Sequence, residues 1–256
     1  MSPGLLRAPT IRLGRSGPLV SRLIFGTEHI IDLTPDEGGA ILAEAHRSFG
    51  IVHWDTAPAY DSHPQVASGL KQVGRQNVIV TSKTTARTYD EARGELGVIL
   101  EELDTTYLDI IFLHNVPGDG LPERDGALRY LLGAKRQGTV KHVGISSHAP
   151  STLLEASNID DMEIVCGTLN RDGSRIDGTL EDMLTSLEQC YRQGKGVYVI
   201  KILGRGDLVD DVEGAIRFVC EYPFIHAYNI GMKNTEEVEE NLRFILEHAP
   251  SVTRKE

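Results

Sequence analysis

Long apolar runs are missing from this 256-residue chain. Nowhere do about 18 consecutive residues stay apolar, so no membrane-spanning helix is expected. Cysteine is scarce: Cys166, Cys190 and Cys220 stand far apart and form no CxxC pair. That excludes a disulfide framework and a zinc ribbon, and it fits a reducing cytoplasm. Basic charge is also in short supply, with 26 Lys and Arg against 37 Asp and Glu, a net charge of −11. General attraction to nucleic acid or to an anionic membrane needs clustered positive charge, so neither partner is expected. The opening MSPGLLRAPTIRLGRSG lacks the continuous apolar stretch of a signal peptide. Nine histidines occur, but no HxH pair or HExxH motif, so a metal-dependent hydrolase is poorly supported and no metal is expected.

What is present is a rhythm. The segment TIRLGRSGPLVSRLIFG alternates apolar and polar residues around Arg15-Ser16-Gly17, which predicts a short β-hairpin. Strand-like runs then recur at about 23–27, 51–55, 78–82, 108–113, 141–146, 163–169, 197–202 and 225–230. Each is followed by a stretch with helical spacing, such as PDEGGAILAEAHRSF. Strands alternating with helices imply parallel pairing with helical crossovers, and eight such units close a (β/α)8 TIM barrel. An open doubly wound sheet would use the same alternation, but the first turn, Gly26-Thr27-Glu28-His29, carries no GxGxxG fingerprint. No linker or low-complexity tract divides the chain, so residues 1–256 read as one domain. Chemistry in such a barrel sits at the carboxyl ends of the strands.

Those ends carry ionisable groups. The second run ends in Asp55, with Tyr60 on the loop beyond it; the third ends in Lys83 and the fourth in His114. Taken singly, each has an ordinary explanation as cap, packing residue or solvated charge. Together they make a specific chemistry. A phenol holds its proton at neutral pH, and a nearby ammonium favours the phenolate. A buried carboxylate keeps that ammonium charged and oriented. A neutral imidazole donates a hydrogen bond to a carbonyl oxygen, so the four would polarise a carbonyl and protonate it as hydride arrives at carbon. Trp54, one position before Asp55, should point outward to the helices by strand alternation.

The spacing D-x-A-x-x-Y, followed by a Lys and a His closing the next two strands, resembles the aldo-keto reductase superfamily over nearly the whole chain. The resemblance implies that Tyr60 is the general acid, Lys83 its pKa modifier, Asp55 the partner of that lysine and His114 the group that orients the carbonyl. It implies a nicotinamide cofactor on a face that includes Gly26 and Thr27, with Ser146, Ser147 and Asn170 at the carboxamide. Cys166 stands where many relatives have Gln, and Lys201 where many have an aromatic to stack on the ring. The KILGRG segment is closer to a short-chain branch; its Leu203, Gly204 and Gly206 would let backbone amides approach the pyrophosphate.

At the last strand the resemblance implies that Gly231, Met232, Lys233 and Asn234 open a helix whose positive end favours phosphate, with Asn241 behind it. Lys233 and Asn234 favour NADPH, whereas Glu237 occupies the position of an Arg in many NADPH-dependent relatives, so NADH is the alternative. Some short-branch relatives end in a cysteine-rich iron–sulfur tail; none follows here, and no cluster is expected. The substrate would be a small-molecule carbonyl in an open site bordered by His29, Tyr60, His114 and His148. The expected activity is reversible aldehyde and ketone reduction by a monomer or weak homo-oligomer. An imine, a sugar anomeric carbon, or a nucleotide-binding regulatory role without turnover are the alternatives.

Overall fold

The computed structural model describes residues 6–250. The expectations about a leader and about the chain's end rest partly on residues 1–5 and 251–256 and lie outside the described residues. The hairpin consists of β1 (Thr10–Arg12) and β2 (Leu19–Ser21), paired antiparallel with Ile11 opposite Val20. Eight further strands follow: β3 (Leu23–Gly26), β4 (His53–Asp55), β5 (Ile79–Thr84), β6 (Leu108–Leu113), β7 (Val140–Ser147), β8 (Ile164–Thr168), β9 (Gly196–Ile200) and β10 (Ala227–Gly231). All pair in parallel, and β10 closes on both β9 and β3 to form a barrel. Their bounds differ from the sequence-based ones by one or two residues at most.

Among the described residues eight α-helices surround the barrel: α1 (Pro35–Phe49), α2 (His63–Val73), α3 (Tyr89–Glu102), α4 (Asp125–Arg136), α5 (Pro150–Ser157), α6 (Leu180–Arg192), α7 (Val212–Cys220) and α8 (Thr235–His248). Local chemistry sets several of their ends. Thr34 and Glu37 form a reciprocal capping box at the start of α1, and Thr88 and Glu91 form another at α3. Gly50, at φ 69°, terminates α1 in the left-handed region that favours glycine.

Two apolar layers result from strand alternation. The larger lies between barrel and helices. Trp54 belongs to it and is fully buried, its ring 3.2 Å from where a Cβ on Gly69 of α2 would lie. The tryptophan therefore faces the helices, as the alternation predicts. The smaller layer fills the barrel and includes Ile110, Phe112, Cys166 and Tyr198, with Leu13 and Val20 entering from the hairpin. Gly14 makes that docking feasible: it has φ 74°, and a Cβ there would stand 2.2 Å from the Gly196 backbone nitrogen. The hairpin thus covers the amino ends of the strands and leaves the carboxyl ends open.

Candidate active site

Asp55 ends β4, Lys83 is the penultimate residue of β5, and His114 follows β6 directly. Tyr60 arrives by a different route. After Asp55 the chain makes one 3-10 turn, Pro58–Tyr60, and Asp61 adopts φ 54° to end it. The Tyr60 amide donates to Ala57 O at 3.0 Å, and the Thr56 amide donates to Thr81 O at 2.9 Å, tying the turn to β5. This folds the phenol back over the strand ends. Its ring meets the His114 ring edge-on at 6.0 Å, and the Lys83 ammonium stands 4.7 Å from the Tyr60 ring centre.

Asp55 and Lys83 are both 1% exposed. Lys83 Nζ donates to Asp55 Oδ1 at 2.5 Å and to Thr56 O at 2.8 Å. Burial works against the ammonium, but Asp55 and then Tyr60 more than offset it, and the lysine pKa rises above its usual range. His114 moves the other way. Burial, then the neighbouring Lys83 charge, lowers its pKa to about 3, so the imidazole is neutral at physiological pH.

Tyr60 departs from expectation. Burial pushes the phenol pKa up, and the opposing effect of Lys83 is the smaller of the two. No hydrogen bond joins the Tyr60 hydroxyl to another side chain among the described residues. The lysine therefore limits a rise instead of producing the net depression that the sequence suggested. Desolvation is the larger effect, and the Asp55 charge beside Lys83 also favours the protonated phenol.

Two clefts meet at Tyr60. The longer, about 360 Å³, runs between Gly26 and Gly231 on one side and Lys201, Leu203, Arg205 and Gly206 on the other. The shorter, about 180 Å³, gathers Tyr60, Lys83, His114, Ser146, Ser147 and His148. Lys201 and Arg205 adopt φ 62° and 63°, a backbone state that non-glycine residues take at a cost of roughly 1–3 kcal/mol. Arg205 Nη2 lies 3.0 Å from Glu28 Oε1, and Lys201 Nζ 3.9 Å from Glu28 Oε2. The Glu28 pairing joins the turn after β3 to the turn after β9, across the long cleft. Burial lowers the Lys201 pKa, with Glu28 opposing.

The sequence model of the aldo/keto reductase family matches residues 22–211. The chain belongs to the aldo/keto reductase family. It is therefore related to oxidoreductases. Among curated proteins nothing matches the chain. Solved structures share its fold. A proposed aldo-keto reductase from Pseudomonas aeruginosa superimposes with TM-score 0.80 at 24% identity, over 95% of this chain and 97% of that one. The holo form of an aldo-keto reductase from Bacillus halodurans gives TM-score 0.77 at 21% identity, over 98% and 94%. An aldo/keto reductase from Brucella melitensis gives 0.73 at 18%, over 93% of each chain.

In this aldo/keto reductase barrel the other expected residues divide into groups. Gly26, Thr27, Lys201, Leu203, Gly206 and Gly231 line the long cleft, and Ser146 and Ser147 the short one. Asn170 lines neither. It is fully buried, and its amide donates to Ser174 O at 2.8 Å and Lys201 O at 3.3 Å while accepting from the Ser174 amide. Its polar atoms brace the loop after β8 instead of facing the cleft. His29, expected beside the substrate, packs over Gly231 and lines the long cleft, not the short one that holds His114. His148 does line the short cleft, with Nδ1 on Arg175 O at 2.8 Å. Gly204, Met232 and Asn241 are buried outside both clefts. At α8, Asn234 accepts from the Glu237 amide as N-cap at 2.8 Å. Glu237 folds back to accept from the Lys233 amide at 3.0 Å, and Lys233 Nζ lies 3.9 Å from it.

Sequence reasoning missed Tyr198, Glu28 and Arg205. Tyr198 donates to Asp55 Oδ2 at 2.5 Å from inside the barrel. Its signal was a phenol at an inward position of VYVIK, since a buried tyrosine hydroxyl needs a partner. Glu28 and Arg205 are far apart in the chain, and nothing local announces their pairing.

Proposed function

We propose that this protein is an NAD(P)H-dependent carbonyl reductase in which Tyr60 donates the proton. One observation carries the reading: Tyr60, the Asp55–Lys83 pair and a neutral His114 converge where the two clefts meet. Such an arrangement suits charge developing on a carbonyl oxygen. His114 donates a hydrogen bond to that oxygen without competing as a cation. Tyr60 delivers its proton to the same oxygen, and Lys83 stabilises the phenolate left behind. Asp55 keeps the ammonium oriented and balances its charge in a buried setting. Run in reverse, the phenolate would accept the proton of an alcohol.

A nicotinamide dinucleotide suits the long cleft. Gly26 and Gly231 let neighbouring groups pack closely along it: a Cβ on Gly26 would meet Asn229 Oδ1 at 2.6 Å, and one on Gly231 would meet the His29 ring at 3.1 Å. Lys201 and Arg205 bring positive charge to its wall, and α8 begins beyond its end. Ser146 and Ser147 would hold the carboxamide, the Leu203–Gly206 turn the pyrophosphate, and Lys233 and Asn234 the adenosine end. When bound, this group supplies the hydride to the carbonyl carbon. NADPH is the favoured form because Lys233 and Asn234 stand at the start of α8, and the substrate is a small-molecule aldehyde or ketone.

The test is direct. Purified protein mixed with NADPH and an aromatic aldehyde should oxidise the cofactor, followed at the reduced-nicotinamide absorbance band. A panel adding ketones, cyclic imines and reducing sugars separates the substrate classes. Tight NADPH binding with no turnover on any of them would replace this reading with a nucleotide-binding regulatory one.

A further inference from the structure

The short cleft has one positive wall, in a chain whose net charge is −11. Its lysine, arginine and carboxylate side chains are Lys83, Lys201, Arg205 and Glu28. Lys83 is balanced by Asp55 at 2.5 Å and brings no net charge. Glu28 Oε1 accepts from Arg205 Nη2 at 3.0 Å, which balances the guanidinium. Lys201 is left over. Its Nζ stands 3.9 Å from Glu28 Oε2, beyond hydrogen-bond reach, and donates no hydrogen bond among the described residues.

Only 16% of the Lys201 side chain is exposed, so water is a poor substitute for the missing partners. Burial disfavours the ammonium, and Glu28 offsets this only in part. An anion entering the cleft would complete the compensation.

The backbone holds the lysine at this place. Lys201 has φ 62°, and its carbonyl accepts from the Gly204 amide at 2.8 Å and from Asn170 Nδ2 at 3.3 Å. The turn after β9 thus fixes a residue in a costly conformation at the strand end.

Tyr60 and His114 line this same cleft of about 180 Å³. Lys201 therefore shares one space with the groups that would polarise the carbonyl, and no passage to a second cavity is needed. Its charge is near enough to lower the His114 pKa further, after burial and Lys83. The volume lies below the ~300 Å³ at which typical ligand sites begin, so the molecule it takes is small.

We propose that the short cleft selects small carbonyl compounds bearing a carboxylate, with the carbonyl oxygen at Tyr60 and His114 and the carboxylate on Lys201. This rests on the reductase reading above. Lys201 supplies the attraction, and Glu28 limits it, because its carboxylate competes with that of the substrate. A neutral carbonyl compound of the same length gains nothing from the ammonium.

The test uses the full chain saturated with NADPH and compares 4-oxobutanoate with its uncharged methyl ester and with butanal. In the wild type kcat/KM should favour the anion over either neutral compound by roughly tenfold or more, the effect of one charge-assisted hydrogen bond. Lys201→Met should erase that ratio. Any loss of cofactor binding in this variant lowers all the rates alike and cancels in the ratio. Glu28→Gln should raise it, and opposite shifts in the two variants separate charge from damaged folding. Independently of turnover, succinate binding to the NADP⁺-saturated protein, measured by calorimetry, should weaken by about tenfold in Lys201→Met. A wild-type ratio near one, or a ratio unchanged in Lys201→Met, overturns the carboxylate site and leaves the reductase reading intact. Cofactor binding with no turnover of any carbonyl compound overturns the reductase reading and the carboxylate selection with it.

Discussion

Tyr198 and Asp55, 143 positions apart in sequence, meet inside the barrel through a hydrogen bond of 2.5 Å. The phenol donates to Oδ2 while Lys83 donates to Oδ1, so both carboxylate oxygens are held. Tyr198 is itself fixed by packing, stacked on Phe112 at 5.6 Å and edge-on to His53 at 5.7 Å. Phe112 occupies space that Gly144 leaves free, since a Cβ there would stand 2.6 Å from its ring. The barrel interior thus reaches the candidate active site through one buried hydroxyl.

Replacing Tyr198 with Phe removes that hydroxyl and keeps the ring. The buried Oδ2 loses its donor, so stability should fall by about 1–3 kcal/mol, read from urea unfolding. If the bond also orients Lys83, kcat for reduction should drop while NADPH affinity holds. A variant as stable and as fast as wild type would show that the bond has no net effect.

Tyr60→Phe should lower kcat/KM for carbonyl reduction by roughly 10²–10⁴ and leave the NADPH dissociation constant nearly unchanged. The pH profile offers a second check. Burial holds the Tyr60 pKa above its ordinary value of 10, and His114 titrates only near 3. Reduction should therefore stay level between about pH 6 and 9 and decline only as the phenol ionises. A titration inside that window would assign the proton to another group.

Glu237 sits over the start of α8, where its carboxylate would oppose a 2′-phosphate bound there. Glu237→Arg should strengthen NADPH binding relative to NADH by roughly tenfold, measured by fluorescence titration. An equal change for both cofactors would remove the 2′-phosphate from this end of the cleft.

Acid should destabilise the fold through buried histidines. His53 and His226 have pKa values lowered by burial from 6.5 to about 4. The unfolded chain binds their protons near pH 6.5, and the folded chain does not until about pH 4. Their stabilising effect is complete above 6.5 and is lost as pH falls through that window, by up to about 1.4 kcal/mol per pH unit for each. Denaturant unfolding at pH 7, 6 and 5 measures this. A level response would mean these imidazoles gain protons in the folded state.

Much of this was legible in the sequence because it is periodic or local. Strand alternation indicated the eight barrel strands, and the eight-unit count indicated the closed barrel. Asp55, Lys83 and His114 were recognisable because a barrel strand delivers its last residues to one rim. Even the outward direction of Trp54 followed from a period of two.

Tertiary structure decided what depends on burial and on partners distant in the chain. The net direction of the Tyr60 pKa is set by desolvation, which no spacing of residues reveals. The resemblance implies a cofactor contact for Asn170, whereas the loop after β8 folds so that its amide bonds within its own turn. The Glu28 ion pair with Arg205 and the Tyr198 bond to Asp55 both arise between segments that meet only when the barrel closes. Sequence by itself determined which chemical groups reach the rim, since short-range backbone geometry does that. Their charge states and surroundings were settled by the packed barrel, because both depend on which remote atoms exclude water.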